Sequence, residues 1–205
     1  MPIPIRSLRV ALLSFVLPAL LLAGCAGRQA EGSASEKAGP VGRAVGASGE
    51  PPTSLYLQLV DGLHVTGTPV EVDIETFRLR VSGAVERPLS LSFEQIRALP
   101  AVREEITLNC PGFFTDRGVW TGVPVRDLLA LAGVRAGASS VAFLSLSGYR
   151  STLSLEDLQK DGVLIAYEFE GKPFPVVHGF PLRLTAKDHQ GSYWVKWLGE
   201  IQVSE

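Results

Sequence analysis

A chain of 205 residues that is 46% hydrophobic and 20% charged has the composition of a globular protein with one or at most two domains. The formal net charge of −2 argues against nucleic acid, or an anionic membrane surface, as the main partner.

The first 25 residues have the pattern of a targeting segment. Arg6 and Arg9 form a positive start, and residues 10–23 are an apolar run that is too short to span a bilayer but typical of a signal peptide. The run ends in Leu22-Ala23-Gly24-Cys25, which resembles the bacterial lipoprotein box. We therefore predict a signal peptide over 1–24 and lipidation at Cys25. A plain signal peptide or an uncleaved anchor is the alternative.

Residues 25–52 begin with this cysteine and are rich in Gly, Ala, Ser and Pro without a hydrophobic period. They predict a flexible tether, and residues 53–205 are then the folded domain. The expected protein is exported and lipid-anchored to a bacterial membrane, and it faces the periplasm or the exterior. If Cys25 is acylated, Cys110 is left without a partner in the chain, and a free thiol in an exported protein needs an explanation.

The hydrophobic pattern of the domain predicts many short strands and few helices. Strands are predicted at 55–59, 77–82, 88–91, 102–108, 141–146, 163–169, 181–186 and 195–198. Short helices are predicted at 93–99 with Ser92 as the cap, at 125–132 ending at Gly133, and at 155–160. Residues 111–123 contain glycines and aromatics without a period and are predicted to be a long loop. The domain is therefore predicted to be α+β and mostly β.

The stretch from His178 to Trp197 concentrates basic, aromatic and glycine residues. A strand that carries Arg183, followed by a loop that Gly191 opens and that carries Lys196, would hold an anion from two sides. Arginine binds such a group bidentately and lysine binds it as a point charge. The alternative is that both cations are solvated strand residues.

Cys110 lies at a predicted strand end that enters a glycine-rich segment, where sites are often built. It is either a small buried apolar residue, a nucleophile or a soft-metal ligand. A zinc site of Cys110, His178 and His189 is a further alternative, although no short ligand spacing supports it. Tyr149 is either a turn aromatic or an active-site hydroxyl.

From Phe77 to its end the chain resembles the molybdopterin-binding oxidoreductase domain of the sulfite oxidase family. Thr107-Leu-Asn-Cys110, followed by residues 120–129, is similar to the metal-ligand segment of that family. The other similar blocks, in the same order as in the family, are 77–91, 148–149 with 153–155, 164–171, 178–183 and 191–197. The resemblance implies a single domain with the sulfite-oxidase-type molybdopterin-binding fold.

Carried over by position, the resemblance implies that Cys110 is the thiolate ligand of molybdenum and that Tyr149 lies near the substrate. The residues that it implies for binding the pterin and its phosphate, or for closing the same pocket, are His178, Arg183, Gly191, Ser192 and Lys196. The implied cofactor is molybdenum-molybdopterin. The implied reaction is oxygen-atom transfer on a small oxo-substrate, sulfite- or sulfoxide-like, with a separate electron-transfer partner.

Two departures from the family motivate an alternative. Larger members have an N-terminal segment rich in Arg, His and Asn that completes the cofactor pocket, and residues 53–76 offer only His64 in its place. The leader also lacks the adjacent arginines of signals that export folded proteins. The alternative is a metal-free lipoprotein that uses the same fold as a binding module. A zinc or thiol-redox protein that uses Cys110 is the third hypothesis.

Overall fold

The structure, a computed structural model, describes residues 58–205. These residues lie within one compact unit. The predicted signal peptide, the lipidation site Cys25, the tether and the beginning of the first predicted strand lie outside the described residues. None of the helices formed by residues 58–205 has the length and apolar character needed to cross a membrane.

Strands dominate the described part of the chain, which confirms the prediction of an α+β domain that is mostly β. The strands are β1 (Leu59–Val60), β2 (Leu63–His64), β3 (Leu79–Gly83), β4 (Leu89–Leu91), β5 (Val102–Cys110), β6 (Phe114–Pro124), β7 (Ser140–Ser145), β8 (Arg150–Ser154), β9 (Leu164–Phe169), β10 (Lys172–Pro173), β11 (Arg183–Leu184) and β12 (Leu198–Ser204). The α-helices are α1 (Phe93–Arg97) and α2 (Val125–Ala132). Short 3-10 helices span Asp157–Gln159, Val176–His178 and Gly191–Tyr193.

The strands form two larger sheets and a small hairpin. Sheet I has the order β4-β3-β12-β7-β8, and sheet II has the order β10-β9-β6-β5, with β11 also paired to β9. Within sheet I, β12 runs parallel to β3, and the other neighbouring strands are antiparallel. The hairpin consists of β1 and β2, which are joined by a turn at Asp61 and Gly62. One hydrophobic cluster contains side chains of both sheets and of α2, so the sheets share a core.

Local signals place the two α-helices correctly. The hydroxyl of Ser92 accepts a hydrogen bond from the backbone N–H of Gln95, whose side chain in turn accepts from the N–H of Ser92. Gly133 ends α2 in the left-handed conformation, with φ of 71°, which glycine adopts without a steric penalty. The third predicted helix, over 155–160, is wrong in type because only the 3-10 turn Asp157–Gln159 forms.

The prediction of a long loop over 111–123 is wrong, because most of it is the 11-residue strand β6. The strand alternates in burial, but its inward positions include Asp116 and Gly118 beside Trp120, so hydrophobicity does not reveal the alternation. Gly122 is required by close packing, since a Cβ there would lie 2.4 Å from a carbonyl oxygen of β9. Glycine at this position lets β6 pair with β9 in the middle of sheet II.

The chain between residues 181 and 198 is less regular than predicted. Of the strand expected over 181–186, only Arg183 and Leu184 pair with β9. The strand expected over 195–198 begins only at Leu198 and continues to the end of β12, so Lys196 lies in the connection before it. Strands β2, β8 and β10 were not predicted.

Candidate functional site

Connections from both sheets enclose a cavity of about 690 Å³. Six of the seven predicted cofactor-binding and catalytic residues of the domain line it. They are Cys110, Tyr149, Arg183, Gly191, Ser192 and Lys196. These residues come from the end of β5, the β7–β8 turn, β11 and the connection between β11 and β12. The structure thus brings together side chains that are far apart along the chain.

Arg183 is a buried cation that no carboxylate contacts in the described part of the chain, although the charge of Asp116 acts on it from further away. Its side chain is 3% exposed, and it forms no ion pair there. Nη1 donates a long hydrogen bond of 3.3 Å to the carbonyl of His178, while Nε has no partner. The guanidinium carbon lies 4.9 Å from the centre of the Trp120 ring. Burial lowers the pKa of Arg183 to about 10, so the side chain remains charged at neutral pH.

Lys196 is a second cation of the same cavity. Its Nζ donates hydrogen bonds to the carbonyls of Thr66, at 2.7 Å, and Val177, at 3.0 Å. An ammonium group has three donors, so one remains for a ligand. Burial, followed by the positive charge of Arg183, lowers the pKa of Lys196 to about 7. A bound anion would raise the pKa of Lys196 again, because its negative charge would pair with the charges of Lys196 and Arg183.

Cys110 is the last residue of β5 and has a partly buried free thiol. A Cβ atom at Gly191 would lie 3.3 Å from its Cβ and 3.5 Å from its Sγ, so glycine preserves the space beside the sulfur. Burial, and to a lesser extent the negative charge of Asp116, raises the pKa of the thiol. A thiol with a raised pKa is not an activated nucleophile, whereas a soft metal can displace its proton on binding.

His178 is the predicted site residue that does not line the cavity. It is fully buried, and its Nε2 lies 2.6 Å from the carbonyl oxygen of Val60. Because a carbonyl only accepts, Nε2 carries the proton, and the buried Nδ1 is left without a partner. Burial lowers the pKa of His178 to about 4, so the ring is neutral at pH 7. The structure therefore places His178 next to Arg183 but outside the cavity lining, and its contact with a pterin stays a prediction.

The predicted zinc trio does not assemble. His189 lies beside Asp157, with Nε2 3.6 Å from a carboxylate oxygen, and its ring packs against Tyr193. Among residues 58–205 no group of three or more His, Cys, Asp or Glu side chains is placed to hold a metal ion. Cys110 would therefore be a single protein ligand to a metal that another group holds.

Tyr149 lies at the mouth of the cavity and is 46% exposed. Its hydroxyl donates a short hydrogen bond to the carbonyl of Ser192, which also lines the cavity. The bond joins the β7–β8 turn to the 3-10 helix at Gly191–Tyr193. In this arrangement the phenolic proton is already used, which bears on the predicted role of Tyr149 near a substrate.

A hydrogen-bonded pair of a partly buried His64 and a buried Asp116 supports the cavity, and little in the sequence indicates it. Asp116 accepts from the backbone N–H of His64 at 2.9 Å, and its other oxygen lies 2.5 Å from Nδ1 of the ring. The His64 ring stacks on Phe114, which lines the cavity, with 4.5 Å between the centroids. His64 itself is not a lining residue, but Thr66, Gly67 and Thr68 just after it are. An acidic residue within an aromatic segment was the one available signal.

The residues present fit a molybdenum-molybdopterin group. A buried arginine with an unpartnered Nε and a lysine with a spare donor face one cavity, which suits an anion. Sulfur suits a soft metal, and Gly191 leaves room beside it. The fold and the cavity are thus those of a β-rich domain built to hold a large anionic group beside a thiol.

Comparison with known proteins shows the family. Residues 65–205 match the family described as "Oxidoreductase molybdopterin binding domain". The chain therefore belongs to the molybdopterin-binding domain of the sulfite oxidase family, and the resemblance seen in the sequence is confirmed.

Relatives are found in bacteria and animals. The chain is 33% identical over 144 residues to the "Uncharacterized oxidoreductase YuiH" of Bacillus subtilis, covering 70% of this chain and 73% of that protein. It is 30% identical over 197 residues to the mitochondrial sulfite oxidase of Rattus norvegicus, covering 75% and 35%. It is 29% identical over 134 residues to an Azospira oryzae protein provisionally named protein-methionine-sulfoxide reductase subunit YedZ1, covering 65% and 51%.

A solved structure confirms the predicted fold. The crystal structure of the sulfane dehydrogenase SoxCD from Paracoccus pantotrophus superposes with a TM-score of 0.62 at 24% sequence identity. The match covers 66% of this chain and 40% of that chain. The chain thus spans well under two thirds of the length of this protein and of the rat sulfite oxidase.

Proposed function

We propose that the protein is a molybdopterin-dependent oxidoreductase that performs oxygen-atom transfer on a small oxo-substrate outside the cytoplasm. The observation that carries the proposal is the pair of cations, Arg183 and Lys196, which share a cavity with Cys110. Neither cation has a carboxylate partner within residues 58–205. Two neighbouring positive charges that no carboxylate contacts, one of them fully buried, are costly, so such a pair is best explained by a bound anion.

Each lining residue has a separate part in this proposal. Arg183 binds the anionic part of the cofactor through its free donors, and Lys196 adds a point charge. Cys110 gives up its proton and ligates the molybdenum. Gly191 leaves space beside the sulfur, and Ser192 continues the lining next to it. The cofactor, when bound, supplies the two-electron oxygen-atom-transfer chemistry.

The lining left over for a substrate favours a sulfoxide over sulfite. Once Arg183 and Lys196 are paired with the cofactor, the polar side chains that remain around the cavity are uncharged hydroxyls. They are Thr66, Thr68, Ser145, Ser147, Tyr149 and Ser192. Hydroxyls suit the neutral oxygen of a sulfoxide, whereas a sulfite dianion calls for further cations. The name of the Azospira oryzae relative points the same way.

In this direction the substrate sulfoxide takes up two electrons and two protons and becomes the corresponding sulfide and one molecule of water. The sulfur is reduced, its bond to oxygen breaks, and the oxygen leaves as water. The electrons come from a separate electron-transfer protein, the kind of partner that the family resemblance implies.

We further propose that lipidation at Cys25 keeps the domain at a membrane facing the periplasm or the exterior. Radiolabelled palmitate incorporation that is lost in Cys25→Ala tests the anchor.

Elemental analysis tests the cofactor. The protein is purified from a host that makes molybdopterin, and the metal content of the wild type is compared with that of Cys110→Ser. We expect about one molybdenum per chain in the wild type and a large loss in the variant. Asn109→Ser is the matched control, because this neighbouring side chain does not line the cavity. It should retain both the metal and the turnover of methyl phenyl sulfoxide with a reduced viologen dye.

The alternative functions give different results in the same experiment. If wild-type protein from this host contains no metal, the enzyme hypothesis is excluded, and a binding module on the same fold is the hypothesis that remains. Stoichiometric zinc would favour the third hypothesis. Molybdenum that is retained in Cys110→Ser would show that the thiol is not the ligand.

A further inference from the structure

The β7–β8 turn presents two serine hydroxyls to the cavity. Ser145 ends β7, and its backbone N–H donates to the carbonyl of Tyr149 at 2.8 Å. The N–H of Gly148 donates back to the carbonyl of Ser145 at 3.0 Å, and Gly148 has φ of 88°. Because the turn is closed by both bonds, Ser147 at its tip is held in a defined position. Ser145 and Ser147 both line the cavity.

The hydrogen bonds of this pair leave one hydroxyl proton unused. The two Oγ atoms are 2.8 Å apart, so one hydroxyl donates to the other. The Oγ of Ser145 also accepts from the backbone N–H of Ser147 at 3.0 Å. Two hydroxyls carry two protons, and only one of them lies between the oxygens. Whichever serine donates within the pair, the other retains an O–H that can donate to a ligand.

Tyr149 is in the opposite situation. Its proton is donated to the carbonyl of Ser192, and its side chain is 46% exposed at the mouth. Within the pair, Ser145 is buried, with 9% of the residue exposed, whereas Ser147 at the tip of the turn is exposed. A donor that is already held in place binds an oxygen better than one that must first break another hydrogen bond.

We propose that the Ser145–Ser147 pair, and not Tyr149, supplies the hydroxyl that binds the oxygen of the substrate. The proposal rests on the proposed function, because it names the group that receives the uncharged oxygen of a sulfoxide. The pair binds and orients the substrate through one neutral O–H donor, so it takes no part in electron transfer. It also selects for an acceptor without charge, since a hydroxyl pair cannot neutralise an anion.

The pair makes a specific prediction for a double-mutant cycle. In Ser147→Ala the hydroxyl of Ser145 is released from its partner and can donate to the substrate, and the reverse holds in Ser145→Ala. Each single substitution should therefore raise the KM for methyl phenyl sulfoxide less than about threefold. The double variant lacks both donors and should raise it at least about tenfold, more than the singles combined. Tyr149→Phe should leave the KM within about twofold.

A second readout does not depend on turnover. Methyl phenyl sulfone offers the same kind of oxygen acceptor, and its dissociation constant is measured by the change in tryptophan fluorescence, because Trp194 and Trp197 line the cavity. The double variant should bind it at least about tenfold more weakly. If that variant does not fold, Ser145→Cys/Ser147→Cys replaces it. Thiols of similar size are only weak donors, so sulfone binding should again fall at least about tenfold, and unchanged binding would overturn the role of the pair.

The outcomes separate this proposal from the proposed function. If the double variant is loaded with molybdenum and its KM and sulfone binding are unchanged, the role of the Ser145–Ser147 pair is overturned, but the proposed function is not. A tenfold loss in Tyr149→Phe would assign the donor to the tyrosine instead. Wild-type protein that carries no molybdenum, or that carries it but does not reduce the sulfoxide, would overturn the proposed function. Loss of sulfone binding in the double variant would support the pair in each case.

Discussion

Replacing Arg183 by methionine should stabilise the cofactor-free protein and weaken its hold on the cofactor. Burial lowers the pKa of the guanidinium from 12.5 to about 10. That change corresponds to about 3 kcal/mol that the buried charge costs the folded state. The cost is fully present at neutral pH, because below about pH 10 the side chain is charged in both the folded and the unfolded chain.

Part of this cost is offset by contacts that methionine would lose. The cation–π contact with Trp120, at 4.9 Å, contributes about 1 kcal/mol, and the 3.3 Å hydrogen bond to His178 contributes at most about 1 kcal/mol. The net gain for Arg183→Met in the cofactor-free protein is therefore about 1 kcal/mol. In a domain of this size that raises the melting temperature by about 2–4 °C.

In the loaded protein the sign reverses. A hydrogen bond from a charged donor to a bound anion contributes about 1.5–3 kcal/mol. Its loss should weaken cofactor retention by about 10- to 150-fold. The first effect is measured by thermal unfolding of protein from a host that cannot make molybdopterin. The second is measured by the molybdenum content of loaded protein before and after extended dialysis.

Arg97→Met is the matched control for both measurements. The guanidinium of Arg97 also lies over aromatic rings, 5.8 Å from the centre of Phe93 and 5.7 Å from that of Tyr167, but it is largely exposed and does not line the cavity. It should change neither quantity appreciably. Destabilisation of the cofactor-free Arg183→Met protein, together with undiminished molybdenum, would refute the view that Arg183 is held for an anion.

Three further predictions concern the same cavity. Burial lowers the pKa of Lys196 to about 7, so the folded chain loses this proton at a lower pH than the unfolded chain does. Cofactor-free protein should therefore gain stability as the pH rises from about 7 towards 10. Lys196→Met should therefore stabilise cofactor-free protein by about 1–3 kcal/mol more at pH 6 than at pH 9 in urea unfolding, and equal differences would contradict this. Gly191→Ala places a methyl group 3.3 Å from Cβ of Cys110, so it should lower the molybdenum content while changing the unfolding free energy by less than about 1 kcal/mol. A molybdenum content equal to that of the wild type would show that the space beside Cys110 is not needed. Asp116→Ala leaves two donors of His64 without their acceptor and should lower the free energy of unfolding in urea by about 2–4 kcal/mol, with a smaller loss for Asp116→Asn. A loss below about 1 kcal/mol for Asp116→Ala would mean that the His64–Asp116 pair is dispensable for stability.

Elements governed by local chemistry were predictable from the sequence. Ser92 caps α1 and Gly133 ends α2, because each acts on backbone groups only a few residues away. Strand β3 was predictable because its buried and exposed residues alternate. Strand β6 was not, since its inward positions hold an acid and glycines whose reason lies in distant neighbours. Gly122 meets the backbone of β9, and Asp116 meets His64, 52 residues earlier.

By itself the sequence determined the secondary-structure class, the family and the residue types available for an anion and a soft metal. Only the tertiary structure decided that Cys110, Arg183 and Lys196 meet in one cavity, and that His178 is buried without lining it. Only the structure, too, showed that Arg183 lacks a carboxylate partner in the described chain and that the Tyr149 proton is used by Ser192. The reason is physical: such contacts depend on strand register and on turns joining segments that are remote in sequence, and no local pattern of residues encodes those distances.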